Sequence, residues 1–231
     1  MSQNEILEKL KKAIEEMESE MAEEAAEEAV EAGIDPLVAI NDGLAVGMKT
    51  ISDLFDEGEV FVPQLLLAAE AFEAAVSILT ASMSEEDKKN ASLGKVLIHT
   101  VQGDIHDIGK NIVKTMLSAS GFEVIDLGRD VPVTEVVAKA KEYNVDIIVG
   151  SALMTTTMPS QRDIVDMLKE EGVRAKYKCM FGGAPVSSEW VEKIGGDGYS
   201  ESASEAVEIA KKIMLEIRGD TNGTSKSIDC I

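Results

Sequence analysis

Apolar positions change their period partway along the chain. Over the first ninety residues they recur at three and four, the spacing of an amphipathic helix. Ile6, Leu7, Leu10, Ile14 and Met17 form the first stripe. Glu20–Ala32 continues in alanine and glutamate, both strong helix formers, and Gly33 is placed to end that helix. Asp35-Pro36 reads as an N-cap followed by proline in the first turn, opening a helix to about Glu57 with Leu37, Ile40, Leu44, Met48, Ile51, Leu54 and Phe55 inward. Gly58 ends it. Pro63 opens a fourth helix, to about Met83, through Leu66, Ala69, Phe72, Val76 and Leu79. Four amphipathic helices with short joints predict a small bundle over residues 1–90.

Residues 84–93, Ser-Glu-Glu-Asp-Lys-Lys-Asn-Ala-Ser-Leu, are polar and without apolar period, and read as a hinge or connector. Beyond them short apolar runs alternate with helical spacing. Strands are expected at Lys95–Thr100, Glu123–Leu127, Asp146–Gly150, Lys178–Phe181 and near Tyr199. Helices are expected at Ile108–Ser120, Val133–Tyr143, Met158–Glu170, Ser187–Ile194 and Ala203–Ile217. Five βα units predict an α/β domain over residues 91–218, with a doubly wound parallel sheet. Residues 219–231, rich in Gly, Ser, Thr and Asn, read as a disordered tail.

Composition narrows the function classes. The chain has 231 residues, 45% hydrophobic and 4% aromatic, enough for two small cores. Its net charge of −21 opposes nucleic acid and anionic membrane as partners. Residues 1–90 carry 22 acids and 6 bases, so most of that charge lies on the helical half. This is the composition of a solvated helix surface, or of one that steers basic partner faces. No run is read as a membrane span, and the first residues lack the pattern of a signal peptide. Cys179 and Cys230 lie far apart with no metal-ligand spacing. Cys179 is expected to pack in a strand, and the reading is a reducing cytoplasm.

The chemistry concentrates in Gly103-Asp-Ile-His-Asp-Ile-Gly109, between the first strand of the sheet and its helix. This is the carboxyl edge of the strands, where open α/β sheets bind ligands. A histidine there holds a metal or acts as a base. An aspartate two residues before it can take a hydrogen bond from the imidazole's second nitrogen, which fixes the tautomer. Gly109 lets something bulky approach the backbone. A capped helix start with a surface histidine explains Asp-x-His equally well. A phosphate loop would need more glycines and a lysine–hydroxyl pair. After the third strand come Ser151, Thr155, Thr156 and Thr157, where helix capping is the plain alternative. After the fourth come Gly182 and Gly183, where a turn is. His99, inside the first strand, reads as a core residue. Gly43 and Gly47 call for a close approach, by a ligand or by a crossing helix.

Asp104-x-His106-x-x-Gly109, then Ser151-x-Leu153, then Gly182-Gly183, at these spacings, resemble the cobalamin-binding signature shared by methionine synthase and the corrinoid proteins of methylamine and methanol metabolism. The resemblance extends over residues 1 to about 218. Ser151-Ala-Leu-Met-Thr-Thr-Thr157 and Met180-Phe-Gly-Gly-Ala-Pro-Val186 are most similar to the small corrinoid proteins that serve mono-, di- and trimethylamine methyltransferases. It implies a four-helix cap over a Rossmann-like, flavodoxin-like sheet domain that binds cobalamin.

By resemblance, His106 is the cobalt's lower axial ligand, with Asp104 and Thr157 behind it as a relay. Ser151 and Leu153 line the slot for the nucleotide tail, which Gly182 and Gly183 leave room for. Thr155 contacts a corrin amide, and Glu201-Ser202 the far end of the tail. Phe55 and Val62 cover the upper corrin face, and Gly47 belongs to the same cap. The implied role is a methyl carrier without turnover of its own, cycling between Co(I) and methyl-Co(III). Implied partners are an amine methyltransferase for methylamines or a quaternary amine, a second methyltransferase to coenzyme M or tetrahydrofolate, and a reductive activase. A radical mutase subunit, a cobalamin sensor and a nucleotide-binding domain are the alternatives. The first lacks its barrel, the second an output domain, and the third a Gly-x-Gly-x-x-Gly loop.

Overall fold

The computed structural model describes residues 2–81, 83 and 92–224. The chain divides into two compact units, residues 1–92 with Thr115–Phe122, and residues 93–114 with 123–231. The expected hinge falls mainly on 84–91, outside the described residues.

The first unit is the expected bundle. Helix α1 (Gln3–Glu15) opens with a reciprocal cap, the Ser2 N–H donating to Glu5 at 2.7 Å and the Glu5 N–H to the Ser2 hydroxyl at 3.4 Å. Met17 adopts φ 61° and so leaves the stripe it was expected to extend, turning the chain into α2 (Ser19–Glu31). Gly33, at φ 67°, ends α2. Asp35 accepts the Leu37 N–H at 2.7 Å and starts α3 (Pro36–Ala39). A π-helical turn, Ile40–Leu44, then joins α3 to α4 (Ala45–Asp56). Helix α5 spans Val62–Leu79, ending before the expected Met83.

Gly43 and Gly47 serve a helix crossing. A Cβ on Gly43 would lie 3.0 Å from Leu10 Cβ, and one on Gly47 only 2.5 Å from the Lys11 carbonyl oxygen. The small residues let α1 and the π turn with α4 touch backbone to backbone. Helix α5 is long and apolar enough, by length and composition alone, to cross a membrane, which the sequence reading did not expect. It also carries Glu70 and Glu73 and buries Leu65, Ala68, Ala69, Ala71, Phe72, Ala75 and Leu79, as a core helix does.

The second unit alternates β1 (Lys95–Thr100), α6 (Ile108–Ser118), β2 (Glu123–Asp126), α7 (Val133–Tyr143), β3 (Ile147–Ser151), α8 (Pro159–Glu170), β4 (Lys178–Gly182), α9 (Ser188–Ile194), β5 (Gly198–Ser200) and α10 (Ala203–Thr224). All pairings are parallel, in the order β2-β1-β3-β4-β5. This is the flavodoxin-like order, and its switch point is the crevice beyond the carboxyl ends of β1 and β3. Helix α10 runs through Thr224, where a tail was expected from 219. Gly219 does not take a positive φ, so it does not stop the helix.

The core of this sheet aligns Leu97, Ile148 and Cys179 across three strands and packs them with Val136, Val137, Ile164, Val165 and Leu168. Burial pushes the Cys179 thiol up to about 12, so it is an inert core group.

His99 lies in the same sheet, fully buried, and neither ring nitrogen makes a well-aligned hydrogen bond among the described residues. Burial pushes it down to about 4 against the opposing pull of the nearby Val149 backbone, with the charge of Lys110 adding to the fall and that of Asp126 resisting it. The folded protein therefore holds a neutral ring that the unfolded chain protonates below about 6.5. Stability falls as pH drops below 6.5, and by pH 4 His99 accounts for about 3 kcal/mol of the loss. Urea melts at pH 7 and pH 5 will show the drop in the native chain and a smaller one in His99→Leu.

Candidate cofactor site

The loop after β1 is pinned on both sides before any side chain chemistry begins. Its Val101 N–H donates to the Ser151 carbonyl at 3.0 Å, and the Asp130 N–H to the Asp104 carbonyl at 2.9 Å. Gly103, at φ 84°, gives its N–H to the Asp130 carboxylate at 2.7 Å. The Thr100 hydroxyl donates to the His106 carbonyl at 3.2 Å. The turn is thereby tied to the loops after β2 and β3.

Asp104 is fully buried at the centre of this loop. Its Oδ1 accepts the His106 Nδ1–H at 2.7 Å and the His106 backbone N–H at 3.1 Å. Its Oδ2 accepts the Leu153 N–H at 2.8 Å, the Met154 N–H at 3.3 Å and the Thr157 hydroxyl at 2.8 Å. Burial alone would raise this carboxyl. The hydrogen bonds from His106, Thr157 and Leu153 outweigh it and hold the group far below the usual carboxylate range. An ionised carboxylate only accepts, so the proton of the neutral imidazole sits on Nδ1 and Nε2 carries a lone pair. Thr157 has one proton, which the carboxylate takes in preference to the nearby Met154 carbonyl.

The His106 side chain is 47% exposed, and three large apolar residues of the same loops are exposed as well, Ile105 at 62%, Ile108 at 76% and Leu153 at 45%. A Cβ on Gly109 would meet nothing within 4 Å, so the space above that residue is open. Among the described residues no cluster of three or more His, Cys, Asp or Glu could hold a bare metal ion. A single presented imidazole with exposed apolar residues on the same loops suits a metal that brings other ligands of its own.

The other expected positions divide. Thr157 joins the Asp104 network, whereas Thr155 and Thr156 are exposed. Leu153 contributes its N–H to Asp104 and exposes its side chain. Ser151 is half-buried and pairs in register with Thr100 and Gly182 at the crevice. Gly182 and Gly183 have structural reasons of their own. A Cβ on Gly182 would lie 3.1 Å from the Ser200 carbonyl oxygen. Gly183 takes φ 119°, and its Cβ would lie 1.9 Å from the Ala152 carbonyl oxygen. Ser202 caps α10, accepting the Glu205 N–H at 3.1 Å, and the Glu201 N–H donates back to Glu205 at 2.7 Å. Phe55 and Val62 are half-buried in the helical unit, on either side of the turn at Gly58, which takes φ 76°.

Two polar groups near the site escaped the sequence reading. Lys110 is buried and donates to both Asp126 oxygens, at 2.7 and 2.8 Å, and to Asn111 at 2.7 Å. It ties the first turn of α6 to the end of β2, and it depresses the Asp126 carboxyl against the opposing effect of burial. Gln161 is buried on α8 in phase with Ile164, Val165 and Leu168. A polar residue on an apolar stripe was the signal available for it.

Two family profiles, each described as B12 binding domain, match the chain, over residues 94–208 and 6–80. The dimethylamine corrinoid protein 2 of Methanosarcina acetivorans is 52% identical over 184 residues, 79% of this chain and 84% of that protein. The trimethylamine corrinoid protein 1 of Methanosarcina mazei is 46% identical over 214 residues, 93% and 99% of the two. Among solved structures, the methanol:cobalamin methyltransferase complex of Methanosarcina barkeri matches with a TM-score of 0.80 at 38% identity, covering 93% of this chain and 81% of that one. A cobalamin-binding protein of Desulfitobacterium hafniense matches at 0.73 and 35%, covering 90% and 98%. The profiles, the relatives and the parallel sheet with its helical partner unit agree, and the chain belongs to the B12-binding corrinoid protein family.

Proposed function

We infer that this protein is a corrinoid methyl carrier that holds cobalamin with the nucleotide tail folded away and His106 as lower axial ligand. The observation that carries this reading is the clamp on His106: an ionised, fully buried Asp104 fixes Nδ1–H and leaves Nε2 free on a half-exposed ring. The exposed apolar residues Ile105, Ile108 and Leu153, with the open space at Gly109, suit the flat face of a corrin.

When bound, cobalamin supplies a cobalt that takes up a methyl group as Co(I) and gives it away from the Co(III) level. The chain's part is to set how firmly that cobalt is held from below. Asp104 strengthens Nε2 as a donor by holding the Nδ1 proton. Asp104 is itself held in place by the Thr157 hydroxyl and the Leu153 N–H, so the ring it orients would present Nε2 to the cobalt in one direction.

The remaining assignments extend this reading. Ser151, Leu153, Gly182 and Gly183 bound the tail and Thr155 faces a corrin amide, while Phe55 and Val62 are assigned to the upper corrin face by the family resemblance alone. A separate amine methyltransferase supplies the methyl group, and a second methyltransferase passes it to coenzyme M or tetrahydrofolate. A reductive activase restores oxidised cobalt. Support comes from the relatives, which are named for dimethylamine and trimethylamine, and from the methyltransferase complex among the matching structures. The surplus of acid over base opposes nucleic acid as a partner.

The test is the absorption spectrum of the protein reconstituted with hydroxocobalamin, beside His106→Ala. Imidazole-ligated absorption in the native chain and a base-off spectrum in the variant are expected. A native chain that takes up no corrinoid, or a variant with the native spectrum, overturns the reading.

A further inference from the structure

Gln161 lies on the core-facing side of α8 and is fully buried. A buried amide is tolerated only when its hydrogen bonds are met. Here Nε2 donates to the Gly150 carbonyl at 3.1 Å and to the Gly182 carbonyl at 3.1 Å. Its Oε1 accepts the Trp190 indole N–H, from α9, at 3.0 Å. Two carbonyls and one indole leave a single orientation for the amide.

The two carbonyls belong to neighbouring strands, one from β3 and one from β4. Each sits one residue before a position placed at the tail slot, Ser151 and Gly183. At this point the ladder gives way to loops, and its last rung is the Ala152 N–H donating to the Gly182 carbonyl at 3.1 Å. Gly150 and Gly182 offer no side chains to hold the strand ends, and glycine backbone is the freest in the chain. One side chain from outside the sheet therefore bridges the strands where spacing matters most to a ligand entering between them and the loops.

We propose that Gln161, oriented by Trp190, is a positioning residue that sets the spacing of the β3 and β4 ends and thereby the affinity for the nucleotide tail, separately from the affinity for the corrin ring. The proposal rests on the corrinoid reading above. Neither residue touches the cobalt or the methyl group, so the effect is on fit.

The test is a titration of the full-length, cofactor-free protein with hydroxocobalamin and with cobinamide, which is the corrin without its nucleotide tail. Gln161→Met keeps the length of the side chain and removes its hydrogen bonds. It is expected to weaken cobalamin about tenfold, the worth of one or two hydrogen bonds, while cobinamide binding stays within about twofold. Trp190→Phe removes the indole N–H along with part of the ring, leaves Gln161 in place, and is expected to shift the same ratio in the same direction by less. Trp190 is the sole tryptophan, so its emission in Gln161→Met reports whether the indole has lost its acceptor in a folded protein. Equal weakening of both ligands, or of neither, overturns the proposal. If Gln161→Met fails to fold, an unchanged ratio in Trp190→Phe overturns it as well. A native chain that binds neither ligand overturns the corrinoid reading instead, so the two failures are told apart.

Discussion

Asp104→Ala lowers the stability of the cofactor-free protein by about 3–5 kcal/mol, an effect that His106→Ala does not share. The carboxylate is the common acceptor for five donors from two loops, and it is fully buried. Alanine leaves the Leu153 and Met154 N–H groups and the His106 N–H facing an apolar methyl, and each unmet buried donor costs about 1–3 kcal/mol. Thr157 has a second acceptor in the Met154 carbonyl at 2.9 Å, so its loss is smaller. His106→Ala removes one donor on a side chain that is 47% exposed, and its cost is expected within about 1 kcal/mol. Urea melts of the two cofactor-free variants, side by side, check this. Equal losses would mean that Asp104 serves the imidazole alone and does not join the loops.

Gly183→Ala is expected to prevent the sheet unit from folding, or to cost it more than about 4 kcal/mol. The new Cβ would lie 1.9 Å from the Ala152 carbonyl oxygen and 2.9 Å from the Ala152 nitrogen, and both are backbone atoms that cannot turn aside. The φ of 119° adds strain of its own. Pushing Ala152 away also moves Leu153, whose N–H serves Asp104. Gly109→Ala is the matched contrast. Its Cβ enters open space on a helix, so the cofactor-free protein should melt at the native temperature or slightly above. Cobalamin binding is expected to weaken there, because that open space is where the corrin lies in the proposed complex. Thermal melts and corrinoid titrations of both variants separate a glycine needed by the fold from one needed by the ligand.

The comparison of Gly183 with Gly109 also shows where sequence reading stops. Both stand in the same signature, and spacing along the chain does not say what a missing Cβ would meet. The same holds for Gly43 and Gly47, where spacing left ligand and crossing helix equal and the structure places α1 against them. What was legible follows local rules: the period change near residue 90, the cap at Asp35, the left-handed stops at Gly33 and Gly58, and the Asp104–His106 pairing, which needs a separation of only two residues. Thr157 was reachable only through the family resemblance, since 53 residues separate it from Asp104. Gln161 and Lys110 were not reached, because their partners lie on other strands and helices. The π turn at Ile40–Leu44 adds no residue type that marks it.

The edges of the sheet have a consequence for handling the cofactor-free protein. Its outer strands are short, four residues in β2 and three in β5. An open strand edge is a template for intermolecular pairing, and edges this short offer little to template on. The exposed apolar groups at Ile105, Ile108 and Leu153 lie on loops and a helix start, away from those edges. Ordered strand stacking of the kind that leads to fibrils is therefore disfavoured when the protein is concentrated.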